Sequence, residues 1–141
     1  LIVAGRNTSL RRQLERTDWE IPTTVFGFVD NMPELMAASE VIITKAGPGT
    51  ISEAIACGLP MIISGAVPYQ EDLNVAYVVE NRVGQLAEQP REIVNLLREW
   101  LQPGNEELRQ MAENARRLAK PETTLEVARL IAEHSRRHCE P

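Results

Sequence analysis

A glycine-rich turn between a predicted strand and a predicted helix is the part of the sequence best suited to binding an anion. Gly47, Pro48 and Gly49 follow the β-branched run at 41–44 and cannot continue a strand, because glycine frees the backbone and proline fixes it. Thr50 then opens a predicted helix, whose unpaired N–H groups and dipole favour a phosphate. In an open parallel sheet, this turn would lie at the carboxyl ends of the strands, where ligands bind.

The same turn also has a purely structural interpretation. Thr50 and Glu53 have the spacing of a capping box, in which the glutamate carboxylate accepts a hydrogen bond from the threonine N–H, and the helix would end at Gly58. Glycine-rich turns also occur for steric reasons alone, and this one is neither a GxGxxG nor a Walker motif. From the residues themselves, an anion site and a well-capped connection both stay open.

A longer block of residues resembles the donor site of one enzyme family. The block consists of residues 45–54, 58–60 and 68–71 together with Asn74. It resembles the donor-site block of monogalactosyldiacylglycerol synthases, is similar to that of bacterial diacylglycerol glucosyltransferases, and is more distantly similar to that of the N-acetylglucosaminyltransferase that makes lipid II. The resemblance covers roughly residues 1–84. It implies the C-terminal, nucleotide-sugar-binding domain of a two-domain GT-B glycosyltransferase, with a Rossmann-like parallel sheet flanked by helices and a helical tail.

The resemblance implies roles for the residues around the glycine-rich turn. In that family a helix N-terminus binds the diphosphate without a metal ion, and the corresponding positions here are Gly47, Gly49 and Thr50. It also implies that Glu53 accepts hydrogen bonds from the ribose hydroxyls and that Lys45 adds positive charge near the phosphates. A lysine at a strand end is also commonly solvated, so both interpretations stay open for Lys45.

Val29, Gln70, Glu71 and Asn74 complete the predicted nucleotide-sugar site. The resemblance implies that backbone groups of Val29 bind the uracil edge, with burial at a strand end as the alternative. It also implies that Gln70 and Glu71 face the sugar hydroxyls, which an amide and a carboxylate can bind by donating and accepting. Because acidic groups also complement a helix N-terminus, Glu71 and Asp72 have that second interpretation. We favour sugar binding for Gln70 and Glu71 and the helix-start interpretation for Asp72.

Composition predicts one globular domain. The 141 residues are 43% hydrophobic and 25% charged, and the formal net charge of −5 argues against nucleic-acid binding. No apolar run approaches the roughly 20 residues that span a bilayer, so we expect neither a membrane span nor a signal peptide. Two cysteines, Cys57 and Cys139, form no disulfide framework. We therefore expect a cytoplasmic location, with the parent enzyme peripheral to the membrane on its cytoplasmic side.

The sequence contains no evident catalytic centre or metal site. No histidine lies near a serine or cysteine nucleophile, and no Asp-x-Asp motif is present to hold a sugar diphosphate through a metal. His134 and His138 are four residues apart, and Cys139 follows directly, so the three side chains have a spacing that could ligate a metal. The polar residues around them favour a solvated helix end instead. We predict no metal, no cofactor and no catalytic residue in this chain, with the UDP-sugar as donor substrate.

The elements that must position these groups alternate along the chain. Strands are predicted at 1–4, 23–28, 41–44, 61–64 and 83–87, with helices between them and further helices after Pro90. Because the chain begins without methionine inside an apparent core strand, we expect a single domain that lacks its first strand and the N-terminal acceptor domain.

The predicted function is that of the donor-binding domain of an inverting hexosyltransferase, which is inactive without the remainder of the enzyme. The donor would be UDP-galactose or UDP-glucose, and the acceptor a lipid such as diacylglycerol, bound by the N-terminal domain. The alternatives are a related UDP-sugar transferase or epimerase with a non-lipid acceptor, and a non-catalytic Rossmann-like interaction module.

Overall fold

The structure, a computed structural model, describes residues 1–120 and 122–137, in which strands and helices alternate. The strands are β1 (Ile2–Val3), β2 (Val25–Phe26), β3 (Ile42–Thr44), β4 (Met61–Ile63) and β5 (Gly84–Leu86). The helices are α1 (Thr8–Glu15), α2 (Met32–Ala37), α3 (Pro48–Ala56), α4 (Asp72–Glu80), α5 (Pro90–Trp100), α6 (Glu106–Leu118) and α7 (Thr123–Arg137). The predicted α/β class is confirmed, although every strand is shorter than its predicted range.

The chain divides into two compact units, the first covering Leu1–Leu35 and the second beginning at Met36. In the first unit β1 and β2 pair in parallel, with Ile2 opposite Val25. The side chain of Asn7 caps α1 by accepting a hydrogen bond from the N–H of Leu10. That all 141 residues form one nucleotide-sugar-binding domain stays a prediction.

The second unit is organised around a parallel sheet in which β4 lies between β3 and β5. Ile43 of β3 is opposite Ile62 of β4, and Ile62 is in turn opposite Gln85 of β5. All three residues of β4 are fully buried. A strand that is apolar on both faces is stable only when both faces of its sheet are covered, which explains the helices that follow each strand.

The helices that pack on the sheet contribute different groups of buried side chains to the core. On one side Ile62 packs in a cluster with Trp100 of α5 and Met111 of α6, all of them buried. Further buried side chains come from α3 and α4, among them Ile51 and Val78. Because successive strand residues point to opposite faces, Met61 and Ile63 point away from the face on which Ile62 packs.

Close packing of β5 against β4 and α4 depends on the absence of a side chain at Gly84. A Cβ atom there would lie 2.2 Å from the carbonyl oxygen of Met61 and 2.9 Å from Cγ1 of Val78. Both distances are far shorter than van der Waals contact, and the first involves backbone that cannot rotate away. This glycine is therefore required by packing.

We expect Gly84→Ala to lower the free energy of unfolding by about 1–3 kcal/mol, the usual cost of overpacking a core. The measurement is a urea denaturation curve for each variant. Gly65→Ala is the matched control, because a Cβ at Gly65 would meet nothing within 4 Å. Equal stability of the two variants would show that the sheet can shift to accept the methyl group.

Candidate functional site

The carboxyl ends of β3 and β4 bring together the two loops that carry most of the predicted site. The N–H of Ser64 donates to the carbonyl of Thr44 at 2.8 Å, and the N–H of Ala46 donates to the carbonyl of Gly65 at 2.9 Å. These bonds continue the parallel pairing past the end of β3. The glycine-rich turn and the loop before α4 are therefore held side by side at one edge of the sheet.

The N-terminus of α3 presents two unpaired backbone donors at this edge. Gly47 is the N-cap residue, with φ −71° and ψ 129°, and Pro48 occupies the first turn. The first bond of the helix runs from the N–H of Ile51 to the carbonyl of Gly47 at 3.1 Å. The N–H groups of Gly49 and Thr50 precede that bond and have no hydrogen-bond partner within the described residues. Together with the helix dipole they form a group that can bind an anion.

The structure corrects the predicted start of this helix. The helix begins at Pro48, so Thr50 is its third residue and not its cap, and no side chain caps it. The predicted capping box between Thr50 and Glu53 is therefore wrong. Glu53 is exposed, and its carboxylate makes no hydrogen bond or ion pair within the described residues. A carboxylate that does not cap the helix is available to a ligand.

Lys45 and Glu71 form an ion pair beside the cap of α3. Lys45 Nζ lies 2.7 Å from Glu71 Oε1, and the N–H of Val67 donates to Glu71 Oε2 at 2.8 Å. The Lys45 ammonium and, after it, the Val67 N–H hold the pKa of the Glu71 carboxyl below its ordinary value of 4.5. A Cβ at Gly47 would lie 3.4 Å from Lys45 Nζ and 4.0 Å from Glu71 Oε1, which places the pair against the helix cap.

Asn74 and Gln70 occupy different positions around this pair. The amide of Asn74 donates to the carbonyl of Ala46 at 2.9 Å, so it fixes the glycine-rich turn from α4. Gln70 is exposed in the loop that leads into α4. The residue before it, Tyr69, has a left-handed backbone with φ 65° and is 97% exposed. Its N–H donates to the Asp72 carboxylate at 3.1 Å, which helps to hold this strained conformation.

Sequence reasoning missed several of these contacts. The Val67 N–H, the Ala46 carbonyl and the left-handed Tyr69 carry no motif, since two are backbone groups and the third is a bulky residue at a position that favours glycine. The Asp72 carboxylate accepts a hydrogen bond from the Tyr69 N–H, which fits the predicted role of Asp72 at a helix start. Only the loop-rich composition around Pro68 indicates that the chain turns here.

A cavity of about 530 Å³ borders the site on the side of α3 and α4. Pro48, Ser52 and Asn74 line it together with Tyr77 and Lys120. The cavity therefore borders the glycine-rich turn at Pro48 and the predicted site residue Asn74. Polar groups from α3, from α4 and from the segment after α6 line the same cavity.

Val29, the remaining predicted site residue, follows β2 in the first unit and is partly exposed. Its contact with a uracil base stays a prediction.

Among residues 1–120 and 122–137, no group of three or more His, Cys, Asp or Glu side chains is arranged to hold a metal ion. Two residues of the possible metal site near the C-terminus, His138 and Cys139, lie outside the described residues. Within the same ranges, no helix combines the length and apolar character that a membrane span requires.

Comparison with known families gives this site its context. The model for the glycosyltransferase family 28 C-terminal domain matches residues 1–131. The chain belongs to this family. The match covers all of the residues predicted to bind a nucleotide sugar, and the predicted relationship to monogalactosyldiacylglycerol synthases and GT-B glycosyltransferases is confirmed.

Curated relatives of this family 28 domain include monogalactosyldiacylglycerol synthases of plants. Monogalactosyldiacylglycerol synthase 1, chloroplastic, of Arabidopsis thaliana is 48% identical over 127 residues, which are 90% of this chain and 24% of that protein. The probable monogalactosyldiacylglycerol synthase 3, chloroplastic, of Oryza sativa subsp. japonica is 43% identical over 96% of this chain and 27% of that protein. The chain thus spans about a quarter of the length of these relatives.

Solved structures confirm the fold. The crystal structure of MurG from Acinetobacter baumannii matches with a TM-score of 0.70 and 22% identity, over 92% of this chain and 39% of that one. The glycosyltransferase SnogD from Streptomyces nogalater matches with a TM-score of 0.51 and 24% identity, over 80% of this chain and 30% of that one. At these identities the likeness concerns the fold.

The predicted cytoplasmic location is wrong, because the curated relatives are chloroplastic proteins by name. The physical reason is that a low cysteine content indicates only that no disulfide framework is needed. That condition holds in more than one compartment, so it could not identify the cytoplasm.

The Glu71 contacts predict a pH dependence of stability. Because the pKa of Glu71 is lowered in the folded protein, its ionised form stabilises the fold above the ordinary value of 4.5. This contribution is lost as the pH falls from that value through the folded-state pKa. The difference in free energy of unfolding between wild type and Glu71→Gln should therefore be largest near neutral pH and shrink in acid, as measured by urea denaturation along a pH series.

Glu106→Gln is the matched control for this experiment. Its carboxyl also has a lowered pKa, caused by hydrogen bonding to Arg109, but on an exposed helix surface. Added salt should largely abolish the Glu106 difference and spare that of the buried Glu71. A Glu71 difference that stays constant with pH would contradict the ion pair.

Proposed function

We propose that this chain is the donor-binding domain of a glycosyltransferase that transfers a hexose from UDP-galactose or UDP-glucose to a lipid such as diacylglycerol. The observation that carries the proposal is the N-terminus of α3, where the N–H groups of Gly49 and Thr50 have no partner within the described residues and Lys45 Nζ lies beside the cap residue Gly47. Two backbone donors and one ammonium match the charge that develops on a departing diphosphate.

The groups around this terminus support a nucleotide sugar over a simple anion. Glu53 lies one turn further along the same helix, with its carboxylate available to hydroxyl groups. On the other side, Gln70 and Glu71 follow β4 and reach the same edge of the sheet. Within the second unit, ribose hydroxyls, diphosphate and hexose hydroxyls would thus each meet a suitable partner, with Asn74 fixing the turn.

The relatives support the choice of acceptor. Those named above are monogalactosyldiacylglycerol synthases, so by name they make a galactosylated diacylglycerol. Because the chain spans about a quarter of their length, we assign to the remainder of a longer protein the acceptor site, the general base and any peripheral contact with a membrane. In this proposal the acceptor hydroxyl attacks the anomeric carbon with inversion as UDP leaves, and no metal or cofactor takes part.

The deciding experiment is a titration of the isotopically labelled chain with UDP, followed by backbone amide shifts in NMR spectra. We expect shifts at Gly49, Thr50 and Glu53 that GDP does not reproduce. Equal responses to UDP and GDP would indicate an anion site without base recognition, and the absence of any response would favour an interaction module. Acceptor assays on a full-length protein, with diacylglycerol against non-lipid acceptors, test the second half of the proposal.

Removal of the Glu53 carboxylate should weaken UDP binding. We expect Glu53→Ala to raise the Kd for UDP about tenfold, because one hydrogen bond to a charged group contributes roughly 1.5 kcal/mol or more. Calorimetric titration measures the change, and Glu80→Ala, at the far end of α4, is the control.

Deoxygenated ligands locate the lost contact. If Glu53 holds the ribose, 2′-deoxy-UDP should bind the wild type more weakly than UDP does, whereas the Glu53→Ala variant should bind the two nucleotides equally. A variant that still distinguishes them would place the ribose elsewhere.

A further inference from the structure

We propose that Lys45 and Glu71 act as one unit in donor binding, in which Glu71 is a positioning residue that holds the Lys45 ammonium ready for the diphosphate. The inference rests on the proposed function and deepens it. It assigns Glu71 an effect on the nucleotide part of the donor, whereas the resemblance assigns it only to the sugar.

The first step of the argument is the state of the Glu71 carboxylate. One oxygen accepts from Lys45 Nζ at 2.7 Å and the other from the Val67 N–H at 2.8 Å, and the residue is only 7% exposed. The side chain of Lys45, in contrast, is 65% exposed. The group of the pair that is accessible to a ligand is therefore the ammonium.

The second step is where this bond places the ammonium. Lys45 Nζ lies 3.4 Å from the position that a Cβ of Gly47 would occupy, and Gly47 caps the helix whose next two N–H groups are unpaired. A lysine side chain has many rotamers, and an exposed one would otherwise sample them all. The bond to Glu71 selects a rotamer that holds the charge beside this helix cap.

The third step concerns the opposing effect of charge. Glu71 brings a negative charge near a dianionic ligand, which by itself weakens binding. That charge, however, is largely compensated by the Lys45 ammonium and the Val67 N–H, which both donate to the carboxylate. A lysine released into solvent would attract a phosphate only weakly because of screening, whereas a placed ammonium can form a direct charge-assisted hydrogen bond. Ordering the side chain in advance should strengthen binding by about two- to tenfold.

The fourth step concerns the loop. The bond between Glu71 and the Val67 N–H closes the segment that contains the left-handed Tyr69 and the exposed Gln70. The same carboxylate therefore holds two groups in place. One is the Lys45 ammonium, which would bind the diphosphate, and the other is the loop with Gln70, which carries the predicted sugar contact. Loss of Glu71 should consequently affect UDP and UDP-hexose alike, whereas loss of Gln70 should affect only UDP-hexose.

The experiment is a double-mutant cycle on the 141-residue chain with Lys45→Met, Glu71→Gln and the double variant. Calorimetric titrations with UDP and with UDP-glucose give the Kd values, and Glu80→Gln is the control for loss of a carboxylate on α4. We expect each single variant to bind UDP two- to tenfold more weakly. The double variant should bind UDP no more weakly than Lys45→Met, because Glu71 acts through the lysine.

Gln70→Ala provides the contrast, with unchanged UDP affinity and weaker binding of UDP-glucose. Amide spectra establish that each variant is folded. If Glu71→Gln proves unstable, Lys45→Met and Lys45→Arg test the same unit from its exposed partner, and the arginine should restore part of the affinity because it can also pair with Glu71.

The outcomes separate this inference from the proposed function. Wild-type binding of UDP with a Glu71→Gln effect confined to UDP-glucose would overturn the inference alone and return Glu71 to direct sugar contact. Tighter UDP binding by Glu71→Gln would also overturn it, since Glu71 would then compete with the donor for Lys45. A wild-type chain that binds neither UDP nor UDP-glucose would refute the donor-domain assignment and the inference with it.

Discussion

Burial of β4 on both faces is the constraint from which the rest of the second unit follows. Its residues, Met61–Ile63, are buried completely, so helices must cover the sheet above and below. Neither face is then accessible to a ligand. Polar groups can only be presented at an edge, and the connections of a parallel sheet place the loops after β3 and β4 at the same edge.

Within that edge, the loops are shaped by a small number of long-range hydrogen bonds. The turn after β3 is held from outside by the carbonyl of Gly65 and the amide of Asn74, both bonded to Ala46. The loop after β4 is held from inside by the Glu71 carboxylate. Hydrogen bonds between the two loops, and from α4, therefore hold the glycine-rich turn in place. The backbone donors of α3 thus have a defined position although no side chain caps that helix.

The sequence predicts the elements better than it predicts the bonds between them. Runs of β-branched and apolar residues locate all five strands, and Gly58, with φ +65°, follows the end of α3 as expected. The predicted start of α3 is wrong because Thr50 and Glu53 also fit the spacing of a capping box. Proline at the first position of a helix with glycine before it describes the start equally well, and tertiary bonds to Ala46 decide between the two.

The ion pair between Lys45 and Glu71 cannot be predicted from the sequence for a different reason. Lys45 and Glu71 are 26 residues apart, and no local periodicity connects them. The family resemblance assigns both residues to one site, but only the structure, in which Lys45 Nζ donates to Glu71 Oε1, shows that they touch. Cysteine content failed altogether as a guide to location, since it responds to redox conditions and not to the identity of a compartment.

The separation of these bonded residues also ties the site to folding. Asn74 and Ala46 are 28 residues apart, so neither this bond nor the ion pair can form before β3 and β4 have paired. A ligand of the edge therefore has almost no affinity for the unfolded chain. Its binding free energy is added in full to the stability of the fold, about 2.7 kcal/mol when its concentration is a hundred times the Kd. The second unit would accordingly melt at a temperature that depends on ligand concentration, and its thermal stability would report how fully the site is occupied.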